Sequence, residues 1–255
     1  MKVAGVEIEV IRKGQAGKSP VLLLQSEDGL EADSSFVQSL ARDREVFIPN
    51  PPGFGDSPEA DRITTIDDIA YLWLDLLDAL DLKNVLVVGC SLGGWIAAEM
   101  ATKSCARIGR LVLAGATGIK LGGPFARDIA DIYVLNKAEL AARTYAEASA
   151  APDYAAMSDA AVERIARNRL ATVKFCWEPY MHNPKLKDRL HRVTVPTLVL
   201  WGASDRIVTP DYGRAYAAAI PGAKFEVIEG AGHLPQLEQP EKALSVLSTF
   251  LGSNI

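Results

Sequence analysis

Histidine and cysteine are both scarce, with three of each in 255 residues. Cys90, Cys105 and Cys176 lack the paired spacing of a disulfide framework or a metal-ligand set. They are read as small buried hydrophobes in a reducing compartment, and no metal or organic cofactor is expected. No apolar run approaches the eighteen residues that a membrane-spanning helix needs. The opening Met1-Lys2-Val3-Ala4-Gly5-Val6-Glu7 lacks the apolar core of a secretion signal, so a cytoplasmic location is expected. Charge of either sign is never massed: 27 Lys and Arg against 32 Asp and Glu leave a net charge of -5 spread along the chain. With no basic stripe for phosphate backbones and no polybasic tail for anionic lipid, neither nucleic acid nor membrane is an expected partner. Internal repeats and low-complexity tails are missing too. A small-molecule ligand, bound by a monomer or homodimer, is the partner that remains.

Apolar residues are plentiful, at 49%, and their pattern alternates between two periods. Val6, Ile8 and Val10 alternate with Glu7 and Glu9, as in a half-buried strand. Pro20-Val21-Leu22-Leu23-Leu24 is continuous, as in a strand covered on both faces. Phe36, Val37 and Leu40 share a helical face, Glu45–Ile48 reads as a strand, and "PNPPGFGDSP" forbids regular structure. Thr65 and Asp68 form a capping box ahead of the stripe Ile69, Trp73, Leu76, Leu77 and Leu80. Residues 84–89 and 110–114 read as strands flanking a helix over 92–103. Residues 197–201 and 224–228 read as strands, and a helix follows Pro240. Strand and helix therefore alternate on both sides of residues 118–192, which predicts an α/β fold: a mostly parallel twisted sheet with helices on both faces. Residues 118–192 are rich in Ala, Arg and Glu and show no convincing strand. The expected division is a core of 1–117 and 193–255, with 118–192 as a helical cap inserted over the carboxyl ends of the strands.

Gly89-Cys90-Ser91-Leu92-Gly93 reads G-x-S-x-G between a strand and a helix, the context that gives this motif meaning. A serine at such an apex is held in a strained backbone with its oxygen thrown out over the sheet, and the next amide, that of Leu92, aims at the same spot. A serine hydroxyl needs a base to become a nucleophile. His182 and His191 lie in polar, basic stretches and read as surface residues. His233, in "EGAGHLPQLEQP", follows the strand ending at Ile228 and so shares the carboxyl edge with Ser91. The base needs a carboxylate to fix its tautomer. Asp205 in "WGASDRIVTP" supplies one at the same edge. Gly115-Ala116-Thr117-Gly118 carries no acid, and Asp211 after Pro210 reads as the first turn of a helix.

The order Ser91, Asp205, His233, together with "PPGFGDSP", "VGCSLGGW", "PTLVLWGASDRIVTP" and "GAGHLPQLEQPE", resembles the α/β-hydrolase superfamily nearly end to end. Within it the chain is similar to bacterial serine hydrolases with a helical cap. The resemblance implies an eight-stranded sheet, with the amino-terminal strand short or absent in this sequence, and a two-step reaction through an acyl-enzyme. Serine at the elbow separates the chain from haloalkane dehalogenases and epoxide hydrolases of this fold, which the resemblance says use aspartate.

The pattern breaks after Leu24. Gln25 and Ser26 stand where many family members carry His-Gly, and alignment to that motif makes the Glu27 amide the second oxyanion donor beside that of Leu92. The Glu27 carboxylate is unhelpful there unless it points away or meets a cation. Gln25, which both donates and accepts, can replace the structural bonds of the histidine. Gln25, Ser26, Phe54, Trp177, Tyr180 and Met181 are the expected substrate contacts, around a small and largely apolar ligand. Ester or lactone hydrolysis leads. Hydrolysis of a C–C bond in ring-cleavage products stands second, because the resemblance gives those enzymes an asparagine before the nucleophile and a Ser-Gly-rich oxyanion loop. Amide and thioester cleavage stay open, as does a catalytically weak ligand-binding protein on the same fold.

Overall fold

The computed structural model describes residues 1–123 and 125–252. Nine strands and nine α-helices follow in chain order among them: β1 (Lys2–Val3), β2 (Val6–Glu7), β3 (Val10–Lys13), β4 (Val21–Leu24), α1 (Ser35–Leu40), β5 (Val46–Pro49), α2 (Ile66–Ala79), β6 (Val85–Cys90), α3 (Leu92–Lys103), β7 (Ile108–Ala114), α4 (Lys137–Thr144), α5 (Asp159–Cys176), α6 (Leu186–Arg189), β8 (Thr197–Gly202), α7 (Pro210–Ala219), β9 (Lys224–Ile228), α8 (Pro235–Glu238) and α9 (Pro240–Leu251). Seven strands form the central sheet in the order β3-β5-β4-β6-β7-β8-β9. Every neighbouring pair is parallel except β3–β5.

Successive side chains of a strand point to opposite faces, and the core divides accordingly. Leu22, Leu24, Val85 and Val87 join Trp73, Leu76 and Leu77 of α2 and the apolar residues of α3 on one face. Val21, Leu23, Leu86 and Val88 join Phe36, Val37 and Leu40 of α1 and Ala243 and Leu247 of α9 on the other. The continuous apolar runs of β4 and β6 are buried throughout because both faces are covered. The Thr65–Asp68 capping box forms, with Asp68 N donating to Thr65 Oγ1 at 3.1 Å and Thr65 N to Asp68 Oδ2 at 3.0 Å.

Two expectations change. The eight-stranded sheet is a seven-stranded one, accompanied by a separate antiparallel pair, β1–β2. Ala4 (φ 45°) and Gly5 (φ 85°) turn the chain back on itself, so the amino-terminal strand is spent in a hairpin. Asn84, expected inside a strand, has φ 52° and turns the chain into β6, which begins at Val85. Between β7 and β8 the described residues hold α4, α5, α6 and short 3-10 turns but no strand of the sheet. This segment meets the core at several places. His233 N donates to the Thr144 carbonyl at 2.6 Å, Asn168 accepts from Gly55 N at 2.8 Å, and Arg169 grips the Asp28 carboxylate at 2.6 and 2.8 Å.

Candidate active site

Ser91, Asp205 and His233 sit just past the carboxyl ends of β6, β8 and β9, parallel strands of one sheet in which β7 separates β6 from β8. Ser91 has φ 48° and ψ −113°, a conformation that a non-glycine residue holds only when its surroundings enforce it. They do so here: its N–H donates to the Ala114 carbonyl at 2.9 Å, and its own carbonyl accepts from Gly94, Trp95 and Thr117. A methyl group at Gly93 would overlap the Leu24 carbonyl oxygen, and one at Gly89 would overlap that of Gly93. The glycines flanking the serine are thus demanded by close backbone approach.

His233 Nε2 lies 2.8 Å from Ser91 Oγ, and its Nδ1 lies 2.9 Å from Asp205 Oδ2. The other Asp205 oxygen accepts from the amides of Ile207 (2.9 Å) and Val208 (3.1 Å), which fixes the carboxylate. All three side chains are buried. Burial pushes the His233 imidazole down. The Asp205 charge and hydrogen bond, with the charges of Glu27 and Glu238, outweigh it, so the net shift is upward. His182 is half-buried, with Nδ1 2.8 Å from the Tyr180 carbonyl, and His191 is exposed. Asp211 falls in the first turn of α7.

The loop after β4 supplies the remaining groups. Gln25 accepts from Ala32 N at 3.1 Å and donates to Asn50 Oδ1 at 3.3 Å, a bridge that props the loop. Ser26 N is occupied by Glu31 Oε1 at 3.3 Å, whereas the Glu27 N–H meets no acceptor among the described residues. Leu92 opens α3, so its N–H lies outside the intrahelical ladder.

The cavity beside His233 is small, about 40 Å³, and Ser26, Glu27, Ile132, Tyr145, Arg169 and Leu234 are among its walls. Of the six expected substrate contacts, only Ser26 lines it. Gln25 and Phe54 line a neighbouring cleft against Leu92, where Phe54 stacks on Phe175. Tyr180 borders a hollow of about 370 Å³ that shares no wall residue with the His233 cavity, and its hydroxyl is held by Ile132 N and the Ala130 carbonyl. Trp177 is 54% exposed, edge-on to Tyr133 and Tyr180. Met181 is in the core. Trp177, Tyr180 and Met181 thus line neither the His233 cavity nor the cleft beside it; α5 ends at Cys176 and the chain turns at Met181 (φ 53°).

Sequence reasoning missed Glu31. It is completely buried under the loop, takes bonds from Ser26 N and Gln236 Nε2 through one oxygen, and leaves the other without a partner. Burial, abetted by the Glu27 charge and opposed by Ser26, pushes its carboxyl up to about 7. Nothing local marks it, since its cover comes from α8, 205 residues away. Among the described residues no group of three His, Cys, Asp or Glu is arranged to hold a metal ion. No helix there is long and apolar enough to cross a membrane.

The profile of the alpha/beta hydrolase family matches residues 29–245. The chain belongs to that family. This alpha/beta hydrolase is 27% identical over 262 residues to a 2-hydroxy-6-oxononadienedioate/2-hydroxy-6-oxononatrienedioate hydrolase of Cupriavidus pinatubonensis, covering 94% of this chain and 89% of the relative. Its fold is similar to that of a lipase-like protein, described as a putative lipase, of Acinetobacter baumannii AYE (TM-score 0.80, 21% identity, 98% and 89% covered). It is also similar to the fold of a meta-cleavage product hydrolase of Pseudomonas fluorescens IP01 (TM-score 0.77, 20% identity, 98% and 96% covered).

Proposed function

We propose that this alpha/beta hydrolase cleaves a carboxylic ester or lactone of a small, largely apolar substrate through an acyl-enzyme on Ser91. The observation that carries the reading is the unbroken chain Ser91 Oγ, His233, Asp205, with contacts of 2.8 and 2.9 Å. Ser91 Oγ attacks the carbonyl carbon while its proton passes to His233 Nε2, and Asp205 stabilises the imidazolium that forms. The carbonyl oxygen, now negative, takes hydrogen bonds from the Leu92 and Glu27 amides, a pair in which each donor is worth on the order of 10²–10³ in rate. The imidazolium then protonates the leaving alkoxide. Water, deprotonated by the same nitrogen, releases the acid and restores Ser91. Residues 118–192 act as a cap over this site. With about 40 Å³ free beside His233, room for about one water molecule, the cap must shift for an acyl group to enter.

A second reading is favoured by the Cupriavidus relative, whose name describes hydrolysis of an oxo-dienedioate. C–C bond cleavage would use the same serine and base. Cys90 before the nucleophile and Gln25-Ser26-Glu27 in the loop weigh against it.

Treatment with a fluorophosphonate, with Ser91→Ala as control, tests the common core. Rapid labelling of the wild type and none of the variant is expected. Turnover of short-chain esters and lactones is then compared with that of a 2-hydroxy-6-oxo-dienoate. Ester turnover should dominate, and faster consumption of the dienoate would overturn the ester reading in favour of C–C cleavage.

A further inference from the structure

Glu27 stands at the position expected to give the second oxyanion amide, and its side chain brings a carboxyl group to the wall of the same cavity. It is only 8% exposed and lines the His233 cavity. Its Oε2 is buried without a hydrogen-bond partner, and no cation lies within ion-pair distance of it among the described residues. A buried carboxylate is ordinarily paired, because removing it from water is costly.

The nearby cations are engaged elsewhere. Arg169 is held by both oxygens of Asp28 and also bonds the Tyr154 hydroxyl at 3.2 Å. Lys137 is exposed, its ammonium 5.5 Å from the centre of the Tyr154 ring. His233 is committed to Asp205 and Ser91. The other groups that feel the Glu27 charge are Tyr133, Tyr180, Cys176 and Glu31, none of them cationic.

We infer that Glu27 is a cation-recognition residue of the reactive cavity, and that the ligand completes its shell with a protonated nitrogen on a short arm close to the scissile carbonyl. This rests on Ser91 being the nucleophile, and it narrows the ligand class to largely apolar esters that carry one ammonium group. The ligand cation satisfies Glu27 and cancels its repulsion of the oxyanion, so the preference is expressed in the transition state. An anionic arm would meet Glu27 unscreened and is rejected.

The test uses three 4-nitrophenyl methylphosphonates that differ in one ester arm: 2-(dimethylammonio)ethyl, its uncharged isostere 3-methylbutyl, and 2-carboxyethyl. In each, Ser91 Oγ bonds to phosphorus, its proton goes to His233, and 4-nitrophenolate leaves and is counted. Wild type should react about tenfold or more faster with the ammonium arm than with 3-methylbutyl, as expected for a hydrogen bond between charged partners. The carboxylate arm should be slowest. Glu27→Gln, which keeps the main-chain amide, should bring the ammonium-to-neutral ratio close to one. The wild-type ratio needs no substitution, so the test survives a variant that folds badly. Equal or reversed wild-type rates, or a ratio untouched by Glu27→Gln, would overturn the inference while leaving the serine nucleophile standing if a plain fluorophosphonate still labels it. Labelling by neither the three probes nor the fluorophosphonate would overturn the nucleophile and the inference together.

Discussion

Replacing Glu31 with glutamine should stabilise the protein at alkaline pH and have little effect at acidic pH. The Glu31 carboxyl is completely buried and its ionisation is displaced from 4.5 to about 7, chiefly by loss of hydration. A folded-state value above the unfolded one means that the native state resists ionising. Stability is therefore intact below about 4.5, declines as pH rises, and carries its full penalty above about 7. Linkage puts that penalty at about 1 kcal/mol at pH 5 and about 3 kcal/mol at pH 8. Glutamine is nearly isosteric, keeps an oxygen that can accept from Ser26 N and Gln236 Nε2, and never ionises. The difference in unfolding free energy between variant and wild type should then grow by about 2 kcal/mol, in favour of the variant, from pH 5 to pH 8. Urea unfolding of both proteins at the two pH values measures it, and background titrations common to both cancel. A difference that stays flat with pH would show that Glu31 does not ionise as its burial demands. One that moves against the variant as pH rises would refute the sign of the argument.

Two further expectations follow from the geometry around Ser91. Only neutral His233 can act as a base, and its pKa is raised, so the acid limb of kcat/KM should lie above the ordinary imidazole value of 6.5. Asp205→Asn removes the principal upward influence and leaves burial unopposed by it; the limb should fall in pH while kcat drops by about 10⁴, and a limb that does not move in a pH profile of the variant would contradict the assignment. Arg169→Met cuts the fork on Asp28 that ties α5 to the loop after β4, whereas α4 stays tied through the Thr144–His233 and Arg143–Arg206 backbone bonds. Hydrogen exchange should speed up over 26–29 and α5 and not over α4, and equal acceleration of both helices would disprove that division.

Much of this arrangement is legible in the residues because it is local. β9 spans 224–228 and α3 spans 92–103, as their patterns predict, since apolar period, proline and glycine act within a few residues. The meeting of Ser91, Asp205 and His233 is likewise readable, because each follows a strand and parallel strands present their carboxyl ends at one edge. What is illegible is non-local. The sequence places Glu31 in a polar loop and says nothing of Gln236 closing over it. Arg164, Arg167 and Arg169 all lie on α5, and their spacing does not reveal that Arg169 meets Asp28 while Arg164 reaches Asp56. Phe175, Trp177, Tyr180 and Met181 are neighbours in sequence but end in different surroundings: Phe175 against Phe54, Trp177 and Tyr180 edge-on to each other outside the His233 cavity, and Met181 in the core, so their proximity misdirects the search for a pocket wall.

The break in family pattern and the unusual electrostatics fall on the same few residues. Glu27, Asp28 and Glu31 place three carboxyls within five positions of a loop that, in the proposed reaction, borders a developing oxyanion. Left ionised and unpaired, each would raise the energy of that intermediate. Asp28 is neutralised by Arg169 at 2.6 and 2.8 Å. Glu31 is neutralised by its own proton over the range below about 7, at the cost in stability argued above. Glu27 feels Arg169 and His233 only at a distance, and its Oε2 has no hydrogen-bond or ion-pair partner among the described residues. An acid retained there without a partner is a burden for a neutral or anionic ligand and an asset for a cationic one. The loop that departs from the His-Gly pattern is thus better explained as a site tuned for a charged ligand than as a weakened oxyanion hole, and the three-probe comparison separates the two.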